Sequence, residues 1–212
     1  MIYFSSVYED EPTHQVMLRL YDFFQGCFSE STQIPCRGKG KIKKQINAYN
    51  NAAKYSNYFI ITDLDNEYQC APSLIKDWLP GQQSNKLLFR IAVHEIESWL
   101  LADRENFAAF FSISKDLIPL NPDNDTDPKR TLISLAKKSR KREIREAVVP
   151  IDNYASIGPG YNIQLQYFIQ NIWSINSARI NSPSLDKALK SMEKIICQIK
   201  NDKLENRSNF CN

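Results

Sequence analysis

The fold is decided by the stretch Tyr58-Phe59-Ile60-Ile61-Thr62-Asp63-Leu64-Asp65. Its aromatic and β-branched residues predict a strand that is buried on both faces, as strands of parallel sheets are. Because side chains alternate along a strand, Asp63 and Asp65 can point to the same side while Leu64 enters the core. Two carboxylates in this arrangement suit Mg²⁺ or Mn²⁺, whereas the alternative is that they only begin a turn.

Strand and helix patterns alternate around this stretch. The sequence predicts strands at 2–7, 33–36, 58–62 and 86–93, with helices at 12–26, 41–55 and 73–78 between them. This alternation predicts an α/β fold, a parallel sheet with helices on both faces, in which the carboxyl ends of the strands meet at one edge. Ligands bind at that edge in such folds.

The pattern becomes helical from Glu95 onward. Later helices are predicted at 129–147, 162–173 and 183–201, after a loop at 119–128 that is rich in proline and aspartate. We therefore expect an α/β domain at residues 1–103, a helical C-terminal extension packed on it at 104–203, and a polar tail at 204–212.

The composition is that of a globular protein. The 212 residues are 42% apolar and 24% charged, and no apolar run approaches the roughly 20 residues of a membrane-spanning helix. The first residues lack the basic and small-residue features of a secretory signal. The five cysteines form no C-x-x-C pair, and only two histidines could complete a zinc site. We expect a cytoplasmic protein with reduced thiols and no membrane association.

A second acidic cluster, Tyr8-Glu9-Asp10-Glu11, lies where the first strand meets the first helix. One interpretation is that these acids only complement the helix dipole, which contributes about 0.3–1 kcal/mol. The other is that Glu9 converges with Asp63 and Asp65, which requires the two strands to be neighbours in the sheet. Several carboxylates in one crevice would repel each other unless a cation neutralised them.

An acidic residue after the first strand and a D-x-D after a later core strand resemble the TOPRIM layout of topoisomerases, bacterial primases and OLD-family nucleases. Val7-Tyr8-Glu9-Asp10-Glu11 resembles the strand of that family that ends in glutamate, with Asp10 where a glycine is usual. Asp63 and Asp65 correspond to the two aspartates of the family. The resemblance covers about residues 1 to 100 and implies a TOPRIM-like sheet that binds Mg²⁺ or Mn²⁺.

Two further segments resemble compact TOPRIM-like bacterial proteins that are associated with phage defence. They are Val93-His94-Glu95-Ile96-Glu97-Ser98-Trp99-Leu100-Leu101-Ala102-Asp103 and Asp127-Pro128-Lys129. Such proteins often occur beside an ABC or SMC-type ATPase, so the resemblance implies a partner of that kind. We also consider a homo-oligomer, because several aromatic residues cannot be assigned to a core.

The helix near residue 95 offers a further acidic ligand. Glu95 and Glu97 are about 200° apart around a helix, so only one of them can face the sheet edge. Glu97 is the better candidate because its neighbours at i+3 and i+4 are apolar. It could bind metal, or it could form an ion pair with Arg90 or Lys129. For His94, a core or hydrogen-bonding role is favoured over ligation.

Basic residues are concentrated in two segments, although the net charge is only +3. Arg37-Gly38-Lys39-Gly40-Lys41 is glycine-rich and opens a helix, so it could hold a phosphate, but it lacks the Walker A spacing. The run at 137–142 could follow a nucleic-acid backbone, or it could be a solvated helix face. The nucleic-acid contacts predicted from both segments are Lys43, Lys44, Lys137, Lys138, Arg140, Lys141 and Arg142. The loop Gly158-Pro159-Gly160-Tyr161 is interpreted as structural, with anion binding as the alternative.

The sequence and the resemblance together predict a Mg²⁺-dependent nuclease acting on DNA or RNA. In this hypothesis Glu9, Asp63 and Asp65 bind one or two metal ions and Glu97 assists them. Lys39 or Lys41 then contacts the phosphate. The alternative is a non-hydrolytic partner or sensor subunit of a defence complex, suggested by the aspartate that replaces the usual glycine. An RNA-directed toxin is a third hypothesis.

Overall fold

The sheet of this protein has four parallel strands in the order β2-β1-β3-β4. The computed structural model describes the backbone of residues 1–209 and the side chains of residues 1–198. The strands are β1 (Ile2–Tyr8), β2 (Phe28–Pro35), β3 (Asn57–Asp63) and β4 (Leu87–Ala92). The helices between them are α1 (Glu11–Phe23), α2 (Lys39–Ala52) and α3 (Ala71–Trp78). The predicted α/β class, with its parallel sheet, is confirmed.

The two strands that lead into the acidic clusters are neighbours. Val7 of β1 pairs with Ile60 of β3, and Asp63 at the end of β3 pairs with Ala92 of β4. The carboxyl ends of β1, β3 and β4 therefore lie side by side at one edge of the sheet. Glu9 can approach Asp63 only if these two strands are neighbours, as they are here.

Each face of the sheet is covered by its own group of helices. Phe59 and Ile61 enter a core shared with α1 and with the helices that follow β4, whereas Ile60 enters a core shared with α2 and α3. The alternation of side chains along β3 distributes consecutive apolar residues to opposite faces. Because both faces of β3 are buried, its sequence is an uninterrupted apolar run.

Seven α-helices follow the last strand in the described part of the chain. They are α4 (Ile96–Leu101), α5 (Arg104–Phe111), α6 (Pro128–Lys137), α7 (Arg142–Val148), α8 (Tyr161–Asn171), α9 (Ile175–Asn181) and α10 (Pro183–Asn209). Side chains of these helices, including Leu165 and Phe168, belong to the same core cluster as Phe4 and Phe59 of the sheet. No helix in the described part of the chain combines the length and the apolar character needed to cross a membrane.

Four elements differ from the predicted ones. The helix predicted at 129–147 is divided into α6 and α7, because the Ser139 hydroxyl donates to the Phe111 carbonyl and accepts the Lys141 amide, which stabilises a turn. Strand β2 begins at Phe28, five residues before the predicted start, and helix α9 was not predicted. Helix α10 continues to Asn209, through most of the predicted tail, and residues 210–212 lie outside the described residues.

Candidate functional site

Carboxylates from two neighbouring strand ends approach each other at the carboxyl edge of the sheet. Glu9 follows β1 directly, and Asp63 is the last residue of β3. The Glu9 Oε1 accepts a hydrogen bond from the Asp63 backbone amide at 3.4 Å. The short β1–α1 connection positions Glu9, since Asp10 already caps α1 by accepting the Thr13 amide.

Asp63 is buried at the end of β3. Its side chain is 6% exposed, and its Oδ1 has no hydrogen-bond partner among the described side chains and backbone groups. Burial raises the pKa of Asp63 well above its usual range, and the nearby charges of Glu9 and Glu97 raise it further. A carboxylate in this environment favours either a proton or a nearby cation.

Glu97 reaches the same place from the first turn of α4. It is 1% exposed, and its Oε1 accepts a hydrogen bond from the Tyr161 hydroxyl at 2.7 Å. The Lys129 ammonium lies 3.6 Å from the same oxygen, while the Oε2 has no partner among the described groups. Burial raises the pKa of Glu97 to about 7, against the opposing effect of the Lys129 charge.

The pKa of Glu9 is also raised to about 7, by burial first and then by the charge of Asp10. The hydrogen bond from the Asp63 amide opposes this shift only in part. Two separate carboxyl groups of the site therefore titrate near neutral pH. This is the expected result when acids are gathered in a partly dry crevice without enough positive charge to balance them.

Lys129 supplies the positive charge on one side of the cluster. Its ammonium lies 3.7 Å from the Glu95 carboxylate, and its backbone amide donates to the same side chain at 2.8 Å. Burial alone would lower the pKa of Lys129, but the charges of Glu97 and Glu95 raise it well above its usual range. Asp127 caps α6 by accepting the Arg130 amide, which places Lys129 in the first turn of that helix.

Asp65 lies beyond the end of the strand. Its φ is 51°, a left-handed conformation, so the side-chain alternation of β3 ends at Asp63. The Asp65 carboxylate forms an ion pair with Lys39, whose ammonium is also 3.3 Å from Glu67. The charge of Asp65 still raises the pKa of Glu9, so the pair lies beside the cluster. His94 has the hydrogen-bonding role expected of it, with Nδ1 3.0 Å from the Asp65 carbonyl.

The other basic residues predicted to act at the site are dispersed. Lys39 begins α2 and contacts the acidic edge, whereas Lys41 and Lys44 are exposed and form no ion pair with a described side chain. Lys43 pairs with Asp77 at the surface. The glycine-rich segment therefore contributes one cation to this edge.

The second basic run is also divided. Lys137 lines a groove of about 500 Å³ together with Lys129 and Arg130. Lys138 and Arg140 are exposed and do not line this groove. The two remaining members have partners of their own: Lys141 donates to the Phe110 carbonyl, and Arg142 pairs with Glu146.

Comparison of the chain with protein-family models, with curated proteins and with solved structures found no match. The TOPRIM resemblance therefore depends on the motif and on the position that the fold gives to its residues.

The donors at this edge fit a divalent cation in their chemistry. Asp63 Oδ1 and Glu97 Oε2 are buried carboxylate oxygens without a hydrogen-bond partner among the described groups, and hard oxygen donors are what Mg²⁺ and Mn²⁺ prefer. Within the described residues, however, no three acidic, histidine or cysteine side chains are close enough together to hold an ion as they stand. Binding would therefore require the carboxylates to move closer together.

Two members of the site were not identified from the sequence. Lys129 entered only as an alternative ion-pair partner of Glu97, and Tyr161 only as the end of a structural loop. Asp127-Pro128-Lys129 does carry a usable signal, because a capping aspartate and a proline predict the start of a helix and therefore the position of the lysine. Nothing local in the sequence indicates that Tyr161 would contact an acid 64 residues away.

Proposed function

We propose that this protein is a metal-dependent phosphodiesterase that cleaves nucleic acid, with Mg²⁺ or Mn²⁺ as its cofactor. The observation that supports this most is the buried Asp63, which has an oxygen without a partner among the described groups and lies near Glu9 and Glu97 at the carboxyl edge of a parallel sheet. Structural carboxylates are normally paired, so a group of acids with raised pKa values in this place is typical of a functional site.

Glu9, Asp63 and Glu97 are the residues that would hold the metal. When bound, the ion would polarise the phosphate and lower the pKa of a water molecule. Tyr161 fixes the orientation of Glu97 through its hydrogen bond, and Lys39 does the same for Asp65. Because the pKa of Glu9 is about 7 without metal, binding of a cation at neutral pH would release a proton from this carboxyl group.

Lys129 and Lys39 border the cluster on two sides. A phosphate that approached the carboxylates would meet these ammonium groups, which would offset its negative charge and the charge that develops during cleavage. In this proposal Lys129 replaces Lys41, which the sequence had suggested and which is exposed in the structure.

The proposal includes a role in phage defence beside an ABC or SMC-type ATPase, as the resemblance implies. One structural relation supports the use of that resemblance. The two quoted segments are far apart in the chain, yet Glu95 and Glu97 of the first contact Lys129 of the second. Packing of the two segments against each other is what a shared site would require.

The test is incubation of the purified protein, alone and with its encoded neighbours, with DNA and RNA in Mg²⁺ or Mn²⁺. We expect cleavage that falls at least about 100-fold in Asp63→Asn, since losing one stabilising charge contact costs about 2.7 kcal/mol or more. Asp77→Asn, which removes an exposed carboxylate on α3, is the matched control and should cleave normally. Equal cleavage by Asp63→Asn, or no cleavage in any combination, would contradict the proposal.

A non-hydrolytic partner subunit is the second candidate, and Lys129 is the observation that favours it. Its ammonium already balances part of the acidic charge that a metal would otherwise neutralise. In that case the protein would bind its ATPase partner without cutting, and Asp63→Asn would leave the complex intact.

A further inference from the structure

The loop between α7 and α8 borders the groove that contains Lys129. One wall of the groove is α6, with Arg130, Ile133 and Lys137 on the same helix face, and the other wall is formed by residues 149–153, 155 and 156. Lys129 lies at the end of the groove that is nearest to Glu97. The groove therefore connects the acidic cluster to the surface of the helical part.

The wall formed by α6 is positively charged along its length. Lys129 and Lys137 are separated by eight residues, which corresponds to roughly 12 Å along a helix. Arg130 and Lys137 form no ion pair with a described side chain, whereas Lys129 faces the acidic cluster. The two acids of the groove lie outside α6: Asp127 precedes the helix and accepts the Arg130 amide, and Asp152 lies in the opposite loop and accepts its amides. Both keep their negative charge, so the positive charge of the groove is concentrated along α6, which carries all three of its basic side chains.

The opposite wall presents apolar side chains to solvent. Tyr154 is 99% exposed and lies between Asn153 and Ala155, both of which line the groove. Ile151, which also lines the groove, is 82% exposed. Because the exposed tyrosine ring contributes nothing to the core, it is free to contact a molecule that enters the groove.

The loop that carries Tyr154 is held in shape by two contacts. The Asp152 Oδ1 accepts the backbone amides of Tyr154 at 2.8 Å and Ala155 at 3.0 Å, as in an Asx turn. At its other end Gly158 lies against α7, where a Cβ would be 2.4 Å from the Ala147 carbonyl oxygen. A ring presented on an ordered loop loses little entropy when a flat partner stacks on it.

We infer that this groove binds a single strand of nucleic acid, with its phosphates along α6 and an unpaired base stacked on Tyr154. The inference rests on the proposed function and specifies its substrate as single-stranded. A cationic track beside exposed aromatic rings is the arrangement that single strands require, since every unpaired base offers a flat face. In a duplex these faces are covered by neighbouring base pairs. A strand in the groove would place a phosphate beside Lys129 and so next to the carboxylates.

Binding is measured by fluorescence anisotropy of short labelled oligonucleotides at low salt, with EDTA present so that no metal-dependent cleavage occurs. We expect the wild-type chain to bind the single strand more tightly than the duplex of the same sequence. Tyr154→Ala should weaken single-strand binding about fivefold to tenfold. Tyr154→Phe, which keeps the ring, should restore it. Tyr55→Ala removes another largely exposed ring, after α2, and should have no effect.

The charged wall is tested by its salt dependence. Lys137→Ala should lower the slope of log affinity against log salt by about 0.7, because one phosphate contact is lost. Lys138→Ala removes the adjacent lysine, which does not line the groove, and should leave the slope unchanged. Circular dichroism of each variant checks that it is folded.

Several outcomes would overturn the inference. The first is the absence of oligonucleotide binding at low salt, and the second is an equal loss of affinity for duplex and single strand in Tyr154→Ala. The third is unchanged affinity in both Tyr154→Ala and Lys137→Ala, which would indicate a protein partner for the loop. Because this assay contains no metal, it is independent of cleavage. Single-strand binding that depends on Tyr154 without any cleavage would contradict the proposed function alone. Cleavage with no contribution from Tyr154 would contradict this inference alone.

Discussion

The carboxyl groups of Glu9 and Glu97 are in an environment that favours their neutral forms. Their pKa values are about 7 in the folded protein, compared with an ordinary value of 4.5. Between these two values the folded protein holds more protons than the unfolded chain does. Stability that depends on these groups is therefore present at low pH and is lost as the pH rises through this window.

We expect the free energy of unfolding without metal to decrease between about pH 4.5 and pH 7. The slope should reach about 1.4 kcal/mol per pH unit for each proton that the folded state holds in excess. Urea denaturation in EDTA at a series of pH values measures this slope. Glu97→Gln should reduce it, and Mg²⁺ should restore stability at neutral pH. A free energy of unfolding that increased across this window would contradict the assignment.

At the level of single residues, the sequence identified the strand-end acids but not their surroundings. The place of Asp63 at the end of a buried strand could be predicted, because burial, alternation and strand context are all local properties. The direction of the Asp65 side chain could not be predicted, because it depends on where β3 ends and on the ion pair with Lys39. The contacts of Lys129 and Tyr161 with the site depend on how distant helices pack, which the sequence alone does not show.

The Gly158-Pro159-Gly160-Tyr161 loop is the element that positions α8. Its two glycines pass so close to α7 that a side chain has no room: at Gly160, a Cβ would be 2.7 Å from the Ala147 Cβ. The loop leads directly into α8, whose first residue is Tyr161. The glycines therefore set the distance between Tyr161 and Glu97.

Gly158→Ala should destabilise the protein by about 1–3 kcal/mol, because the new methyl group would meet backbone atoms that cannot easily move. The same variant should lower any metal-dependent cleavage, since α8 and Tyr161 would shift. Gly81→Ala is the matched control, because a Cβ at Gly81 would have no described atom within 4 Å. Thermal unfolding measures both variants. Equal melting temperatures would show that the loop tolerates a side chain.

Element boundaries were predictable where burial enforces a pattern. Strand β3 is buried on both faces and was predicted within one residue at each end. Strand β2 lies at the sheet edge and is largely exposed, so its residues 29–33 carry no apolar alternation and its start was missed. The break between α6 and α7 depends on a hydrogen bond from Ser139 to Phe111, a contact between helices that periodicity does not show.

On the α1 side of the sheet the buried apolar side chains form one core, and the helices that follow β4 contribute to it. Phe4, Leu20 and Phe59 are buried in the same cluster as Leu165 and Met192. The site is built in the same way, since its acids follow the strands while Lys129 and Tyr161 come from the helical part. The helices after residue 103 therefore complete both the core and the site.

A fragment of residues 1–103 should not fold cooperatively. Removing the later helices would expose the apolar side of α1 and of the sheet, an area much larger than a stable surface tolerates. We expect circular dichroism melting without a cooperative transition, together with strong binding of a hydrophobic dye. The full chain is the control. A fragment that melted cooperatively would show that the α/β part is independent.

The hydrogen bond between Tyr161 and Glu97 links two properties that are usually measured separately. If Glu97 binds a cation as proposed, a ligand that shifts α8 would change that affinity, and the cation would change the affinity for the ligand by the same factor. The side of α8 away from the core carries the exposed Ile163 and Tyr167. A partner that bound there and shifted α8 would be thermodynamically coupled to the carboxylates, and a change in metal affinity would report its arrival.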